Sequence, residues 1–170
     1  MKRFLLLFFA ITIFFASVKP NFAQDFPYDK YLPRTLAELS AMAEEGTKNM
    51  PGDKGQFLIH GKPFYSAVRV KFIGTQKPLV KDELDYLKMW QTSLGYDEEV
   101  PKLFENKYLF KECEKEYWVP VQKLIAEYFP KELKPGDMIT LYLMFPGGLK
   151  KATENWNFIF LVNEFRKYEV

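Results

Sequence analysis

The single cysteine and the single histidine are the residues whose chemistry is easiest to name. Cys113 lies in the stretch KECEKEYWVP, and His60 precedes a glycine. A cysteine nucleophile needs a base within hydrogen-bonding reach, so these two side chains would have to meet in the fold. The carboxylates of Glu112, Glu114 and Glu116 disfavour a thiolate, which reactive cysteines usually gain from nearby cations or helix N-termini. We therefore expect Cys113 to be a buried structural residue and His60 to lie in a turn.

The sequence motifs of several enzyme classes are missing. There is no Gly-x-Ser-x-Gly, no His-Glu-x-x-His, no phosphate-binding loop of the Gly-Lys-Ser type, no Cys-x-x-Cys and no dinucleotide fingerprint. One histidine and one cysteine cannot form a zinc site of such ligands within one chain. The acidic stretch YDEEVP lacks the spacing of a calcium loop and is interpreted as a solvated connection. We predict no catalytic residue, no metal site and no cofactor.

Several polar and aromatic residues are candidates for ligand binding. Asn163 and Glu164 follow a strongly apolar strand, and polar groups there are either hydrogen-bonded locally or directed into a site. Arg69, on a neighbouring predicted strand, is expected to form an ion pair with Glu164. The glycine-rich, basic loop 146–154 resembles a mobile binding loop, and two tryptophans would offer a platform for a sugar or a peptide. The candidate ligand-binding residues are Arg69, Trp118, Lys150, Lys151, Trp156, Asn163 and Glu164.

Three stretches of the chain carry helix signals. The stretch TLAELSAMAEEG begins with Thr35, which can form a capping box with Glu38, and it ends at a glycine. KPLVKDELDYLKMWQTSLG has apolar residues at three-to-four spacing and acids in its first turn. VPVQKLIAEYF is predicted to be a third helix that begins near Pro120, with Tyr117 and Trp118 holding it against the sheet.

Strand signals occupy the remaining segments. FLIHGKPFYSAVRVKFIG is predicted to be a hairpin with its turn at residues 60–62, and KYLFKEC a short strand that ends at Cys113. KELKPGDMITLYLMF runs from a Pro-Gly-Asp turn into a strand. ENWNFIFLVNEF is apolar on both faces, which is typical of a central strand covered on both sides. The element order is therefore α-β-β-α-β-α-β-β.

This order predicts an α+β fold. We expect a mostly antiparallel sheet of about five strands with three helices packed on it. A partly open β-barrel with inserted helices has the same element order and remains the alternative. Aromatic residues make up 18% of the chain, which indicates a core stabilised by ring packing, since one cysteine cannot form an intramolecular disulfide.

The first residues predict export. MKRFLLLFFAITIFFASVKPNFAQ combines a basic start with an apolar run that is shorter than the roughly 20 residues of a membrane-spanning helix. We interpret residues 1–23 as a signal peptide and residues 24–170 as one α+β domain, located in the periplasm or outside the cell, with no stable membrane span after cleavage. Cleavage removes three cations and no acid, which leaves 21 Lys and Arg against 22 Asp and Glu. This balance argues against nucleic acid as a partner.

These features together predict an exported binding protein rather than an enzyme. The expected partner is a protein or a cell-envelope component. One alternative is a small hydrolase or transferase whose site combines dispersed acids with His60, and it requires an acid beside that histidine or beside Cys113. Another alternative is a carrier of a small apolar ligand, which requires an apolar cavity of several hundred Å³.

Overall fold

A computed structural model describes residues 26–50, 55–95, 100–152 and 155–168, so the predicted signal peptide and the YDEE stretch lie outside the described residues. Two short 3-10 turns, Tyr28–Lys30 and Val100–Leu103, accompany the regular elements. In chain order these are β1 Leu32–Pro33, α1 Leu36–Thr47, β2 Gln56–Pro78, α2 Lys81–Ser93, β3 Phe104–Glu112, β4 Lys115–Gln122, α3 Lys123–Ala126, α4 Phe129–Glu132, β5 Met138–Lys150 and β6 Asn157–Lys167.

Five of the strands close into a barrel. They pair in the order β2-β3-β4-β6-β5, and β5 pairs again with β2. All contacts in this ring are antiparallel except that between β4 and β6, which is parallel and pairs Val121 with Val162. Counted along the chain, the barrel strands follow the order 1-2-3-5-4-1, which is the connectivity of the OB-fold. The α+β prediction is confirmed, and the expected alternative, a barrel, describes the fold better than an open sheet.

Two apolar clusters lie on opposite sides of the barrel wall. The main cluster fills the interior with side chains such as Val68, Leu141 and Phe160, and α1 and α4 contribute to it. The second cluster packs α2 against the outer side of β5 and β6 through residues such as Tyr86 and Leu161. Successive residues of β6 therefore enter different clusters. The prediction that this strand is covered on both faces is confirmed.

The N-terminus of α1 is held by a carboxylate from a distant strand. Thr35 and Glu38 form the expected capping box. Glu112, at the end of β3, accepts hydrogen bonds from the backbone N–H groups of Leu36 at 2.7 Å and Ala37 at 3.0 Å. A carboxylate here both satisfies free N–H groups and complements the helix dipole. One of the acids beside Cys113 is therefore explained by helix capping.

The predicted hairpin at residues 60–62 is wrong, because β2 is one strand of 23 residues. It pairs with β5 on both sides of the expected turn, from Gln56 opposite Lys150 to Lys71 opposite Met138. The register shifts between Ile59 and Phe64, so the turn-like residues form a bulge within the strand. His60 consequently lies in a strand and not in a turn.

Two further predictions about local structure are also wrong. Pro120 belongs to β4, and the helical residues after it form only the four-residue α3 and α4. The β-branched residues on either side of this proline fit a strand that pairs with both β3 and β6. Pro146 to Lys150 continue β5 rather than starting a loop. Within the described ranges, no helix is both long enough and apolar enough to cross a membrane.

A buried ion pair fastens α2 to the barrel. Lys107 of β3 lies 2.6 Å from Glu83 of α2, and their side chains are only 10% and 6% exposed. The same carboxylate accepts a hydrogen bond from the backbone N–H of Val80 at 3.0 Å, and Asn157 approaches it at 3.4 Å. Removal of one partner would leave the other charge buried without its counter-ion, which is more costly than never burying the pair.

We expect Lys107→Met to lower the free energy of unfolding by about 3–5 kcal/mol, because the Glu83 carboxylate then loses its counter-ion in a buried site. Lys123→Met is the matched control, since Lys123 pairs with Glu105 at the surface, where both side chains are more than half exposed, and we expect it to cost at most about 1 kcal/mol. Urea denaturation measures both values. Equal losses in the two variants would contradict the structural role of the buried pair.

Gly147 allows β5 to approach β2 closely. Its φ is +135°, and a Cβ atom there would lie 2.0 Å from the carbonyl oxygen of Leu58 and 2.6 Å from the hydroxyl oxygen of Tyr86. That hydroxyl donates a hydrogen bond to the same Leu58 carbonyl at 2.9 Å. A side chain at position 147 would therefore disturb the contact between β2, β5 and α2 at one point.

We expect Gly147→Ala to destabilise the fold by about 3 kcal/mol or more, from backbone strain and from collision with a backbone oxygen. Gly61→Ala is the matched control on the neighbouring strand, where a Cβ atom meets nothing within 4 Å. That variant should stay within about 0.5 kcal/mol of the parent. Thermal unfolding followed by circular dichroism compares them, and a Gly147→Ala protein as stable as the control would refute the close approach.

Candidate functional site

The outer side of β5 and β6 is covered by two separate parts of the chain. Helix α2 covers one end through its contacts with residues such as Met144 and Leu161. The segment 26–31 covers the other end, where its rings meet Tyr142 of β5. Strand β1 then pairs with β2 at Ser66 and Ala67, which fixes where this segment crosses the barrel. The candidate site lies around segment 26–31.

Aromatic rings are concentrated on this surface, which we call the tyrosine face. The ring of Tyr142 packs edge-on against Phe26, Tyr28 and Tyr31 with centroid distances of 4.8–5.7 Å. Tyr31 also contacts Tyr65 at 5.3 Å with an angle of 70° between the ring planes. The tyrosine face comprises Phe26, Tyr28, Tyr31, Tyr65, Tyr142 and Tyr168.

Two arginines lie over rings of the tyrosine face. The guanidinium carbon of Arg166 is 3.7 Å from the centroid of Tyr28, and that of Arg69 is 3.9 Å from the centroid of Tyr168. Both arginines are exposed, so each guanidinium keeps hydrogen-bond donors available to solvent or to a partner. The rings hold these cations in place without neutralising them.

Asn163 joins β6, β4 and the N-terminal segment. The register of β6 on β5 shifts between Glu164 and Val162, so Asn163 is the extra residue of a β-bulge. Its Oδ1 accepts a hydrogen bond from Nε2 of Gln122 at 3.0 Å, and its Nδ2 donates to the hydroxyl oxygen of Tyr31 at 3.1 Å. Burial raises the pKa of Tyr31, which keeps this hydroxyl protonated. These contacts continue the barrel seam beyond its parallel backbone pairing.

Two clefts open on the tyrosine face. The Asn163 cleft has a volume of about 450 Å³ and the Arg166 cleft about 620 Å³. The Asn163 cleft is lined by residues that include Phe26, Lys30, Tyr31, Tyr65, Gln122 and Asn163. The Arg166 cleft is lined by residues that include Glu132, Thr140, Tyr142, Arg166, Lys167 and Tyr168. Both volumes fall within the range of small-molecule sites.

Glu164 is a half-buried acid on the same surface. Its Oε1 accepts a hydrogen bond from the backbone N–H of Phe165 at 2.8 Å. Burial raises the pKa of this carboxyl, and the Phe165 hydrogen bond opposes the shift in part. The expected ion pair with Arg69 does not form, because Arg69 stacks on Tyr168 instead. Glu164 thus lies among rings with its charge only partly compensated.

The structure distributes the seven sequence candidates over three places. Arg69, Asn163 and Glu164 belong to the tyrosine face or its edges. Trp118, on β4, is half-buried under the ammonium of Lys77, which lies 3.8 Å from its ring centroid. The remaining three lie around the β5–β6 connection and are not brought to the tyrosine face.

The β5–β6 connection is tied to α2. Lys151 forms an ion pair with Asp82 at 2.5 Å, and Trp156 stacks on Phe158 with a centroid distance of 6.1 Å. Lys150, the last residue of β5, pairs with Gln56 of β2. A joint platform of the two tryptophans is not seen, because each packs on its own neighbour.

The cysteine and the histidine lie far apart. Lys71 of β2 pairs with Lys111 of β3, which places Cys113 level with Arg69, about 25–30 Å along β2 from His60. Cys113 is exposed at the tip of the β3–β4 hairpin with φ +51°, so the expectation that it is buried is wrong. Reversal of the chain between two strands requires a turn at this position, and that exposes it.

Sequence reasoning missed the tyrosines. The stretch FPYDKYLP has three aromatic residues within six positions, and this density just before a predicted helix was the available signal. Tyr65 and Tyr142 occupy outward positions of their strands, where an exposed polar residue would be ordinary. Their proximity depends on pairing between β2 and β5, which no local pattern indicates.

Neither metal ligands nor known relatives indicate a function for the tyrosine face. Among the described residues, no three side chains of His, Cys, Asp or Glu are grouped so that they could hold a metal ion. The chain matches no protein-family model, and no curated protein or solved structure is significantly similar to it. The geometry of the tyrosine face is therefore the basis for a functional assignment.

The half-buried His60 makes the stability of the fold depend on pH. Its ring lies 5.2 Å from those of Phe64 and Phe145, and burial lowers its pKa below the ordinary value of about 6.5. The folded state then favours the neutral ring. The stability that His60 contributes is therefore fully present above about pH 6.5 and is lost as the pH falls. We expect the urea midpoint to fall more between about pH 8 and pH 5.5 in the parent than in His60→Phe. Parallel pH profiles would refute this.

Proposed function

We propose that this protein acts by binding a protein or a cell-envelope component, and that the tyrosine face is its binding surface. The observation that carries the proposal is the pair of open clefts beside one cluster of rings. Tyrosine and arginine, together with tryptophan, are enriched at binding hot spots, because they combine a large contact area with polar groups of defined geometry. Both residue types are present here in defined positions.

The filled barrel supports an external binding surface. The interior contains packed side chains from all five barrel strands and from α1 and α4. The two clefts described above open outward, and each has polar as well as aromatic lining residues. A carrier of an apolar ligand would instead need an enclosed apolar cavity. The clefts therefore favour a partner with both polar and apolar groups.

The N-terminal sequence supports the proposed location. Residues 1–23 have the pattern of a signal peptide, and the rest of the chain has nearly balanced charge. We therefore place the proposed partner in the periplasm or outside the cell.

Binding to isolated cell envelopes of the source organism tests the proposal. We expect the protein without residues 1–23 to co-sediment saturably with them, and the double variant Arg166→Ser, Tyr168→Ser to bind about tenfold more weakly. Met42→Ser is the control, since Met42 is 48% exposed on α1 and outside both clefts. Absence of saturable binding, or equal effects of the variant and the control, would contradict the proposal.

A further inference from the structure

The floor of the Asn163 cleft is a chain of neutral polar groups. Gln122, Asn163 and Tyr31 are linked by the two hydrogen bonds described above, which fixes the orientation of both amides. No other hydrogen bond to a described residue occupies Oε1 of Gln122 or the hydroxyl hydrogen of Tyr31. The floor therefore offers a free acceptor and a free donor without net charge.

The walls of the same cleft are aromatic. Phe26 stacks on Tyr31 at 5.0 Å with 27° between the ring planes, and Tyr65 stands at 70° to Tyr31. Tyr65 is 37% exposed, so part of its surface is open to a ligand. Aromatic rings set at an angle to each other, above amide groups of fixed orientation, suit a ligand that has one apolar face and several hydroxyl groups.

Other ligand classes fit this cleft less well. A strongly anionic ligand would find one ammonium, that of Lys30 at the rim, and no second cation among the lining residues. An extended peptide bound by strand addition needs free backbone groups along a strand edge. Here the nearby edge of β2 at Ser66 and Ala67 is already paired with β1.

We propose that the Asn163 cleft binds a sugar unit of a neutral glycan. Hydroxyl groups both donate and accept hydrogen bonds, which matches the free groups of Gln122 and Tyr31, and the C–H face of the sugar packs on Tyr65. The inference rests on the proposed function, and it makes the envelope component a polysaccharide. Tyr142 contacts rings of the segment that lines this cleft and itself lines the Arg166 cleft, so the walls of both clefts depend on the same ring packing.

Nuclear magnetic resonance titration tests the inference directly. The probes are cellotriose, maltotriose and triacetylchitotriose, with tetra-alanine as the peptide arm. The observed signals are the side-chain amide groups of Gln122 and Asn163. We expect at least one trisaccharide to shift both signals saturably and tetra-alanine to shift neither.

Two exposed tyrosines provide matched variants. Tyr65→Ser removes the ring beside the Asn163 cleft and should weaken trisaccharide binding by about tenfold. Tyr128→Ser removes a ring of similar exposure that lines neither cleft, and it should change trisaccharide affinity by less than about twofold. Circular dichroism confirms that both variants fold.

The outcomes separate the glycan from other partners. Saturable shifts by tetra-alanine alone, or equal effects of the two tyrosine variants, would overturn the glycan inference and leave the proposed binding function standing. Absence of any shift while the protein still binds envelopes would also overturn it. Absence of both sugar binding and envelope binding would overturn the inference and the proposed function together.

Discussion

Closure of the barrel depends on β2, which is paired along both of its edges. One edge follows β5 from Gln56 to Lys71, and the other pairs with β3 from Lys71 to Pro78. A strand can serve two such partners only if it is long and can bend, and the bulge between Ile59 and Phe64 together with Gly147 permits that bend. The positions of α2 and of the tyrosine face follow from this pairing, because it brings β5 and β6 against the rest of the wall.

The candidate site is the part of the outer sheet surface that two separate chain segments leave uncovered. Helix α2 and segment 26–31 each bury part of the outer side of β5 and β6, and neither buries all of it. The bulge at Asn163 turns an amide toward Gln122 where the parallel seam is short. The same hydrogen bonds therefore serve the seam and the floor of a cleft, so stability and binding are coupled at Asn163.

Local patterns predicted the parts of the fold that local forces decide. The capping box of α1, the amphipathic α2 and the two-faced β6 all follow from residue spacing, and all are present. The hairpin at His60 and the helix at Pro120 were predicted wrongly because pairing with distant strands outweighed turn and helix signals. Asn163, Glu164 and Arg69 were identified from their position after or on strands. The tyrosines were not, since their grouping depends on tertiary contacts between segments far apart in sequence.

The hydrogen bond between Asn163 and Tyr31 spans 132 residues, and that between Glu112 and Leu36 spans 76. Contacts of this length make folding slow, because a large loop must be closed before any of them forms. Strand β6 is the last of the five barrel strands to be synthesised, so neither the seam nor the cleft can form before β6 has been made. For a chain that we propose is exported, late closure would keep the polypeptide unfolded, and thus transportable, during its synthesis.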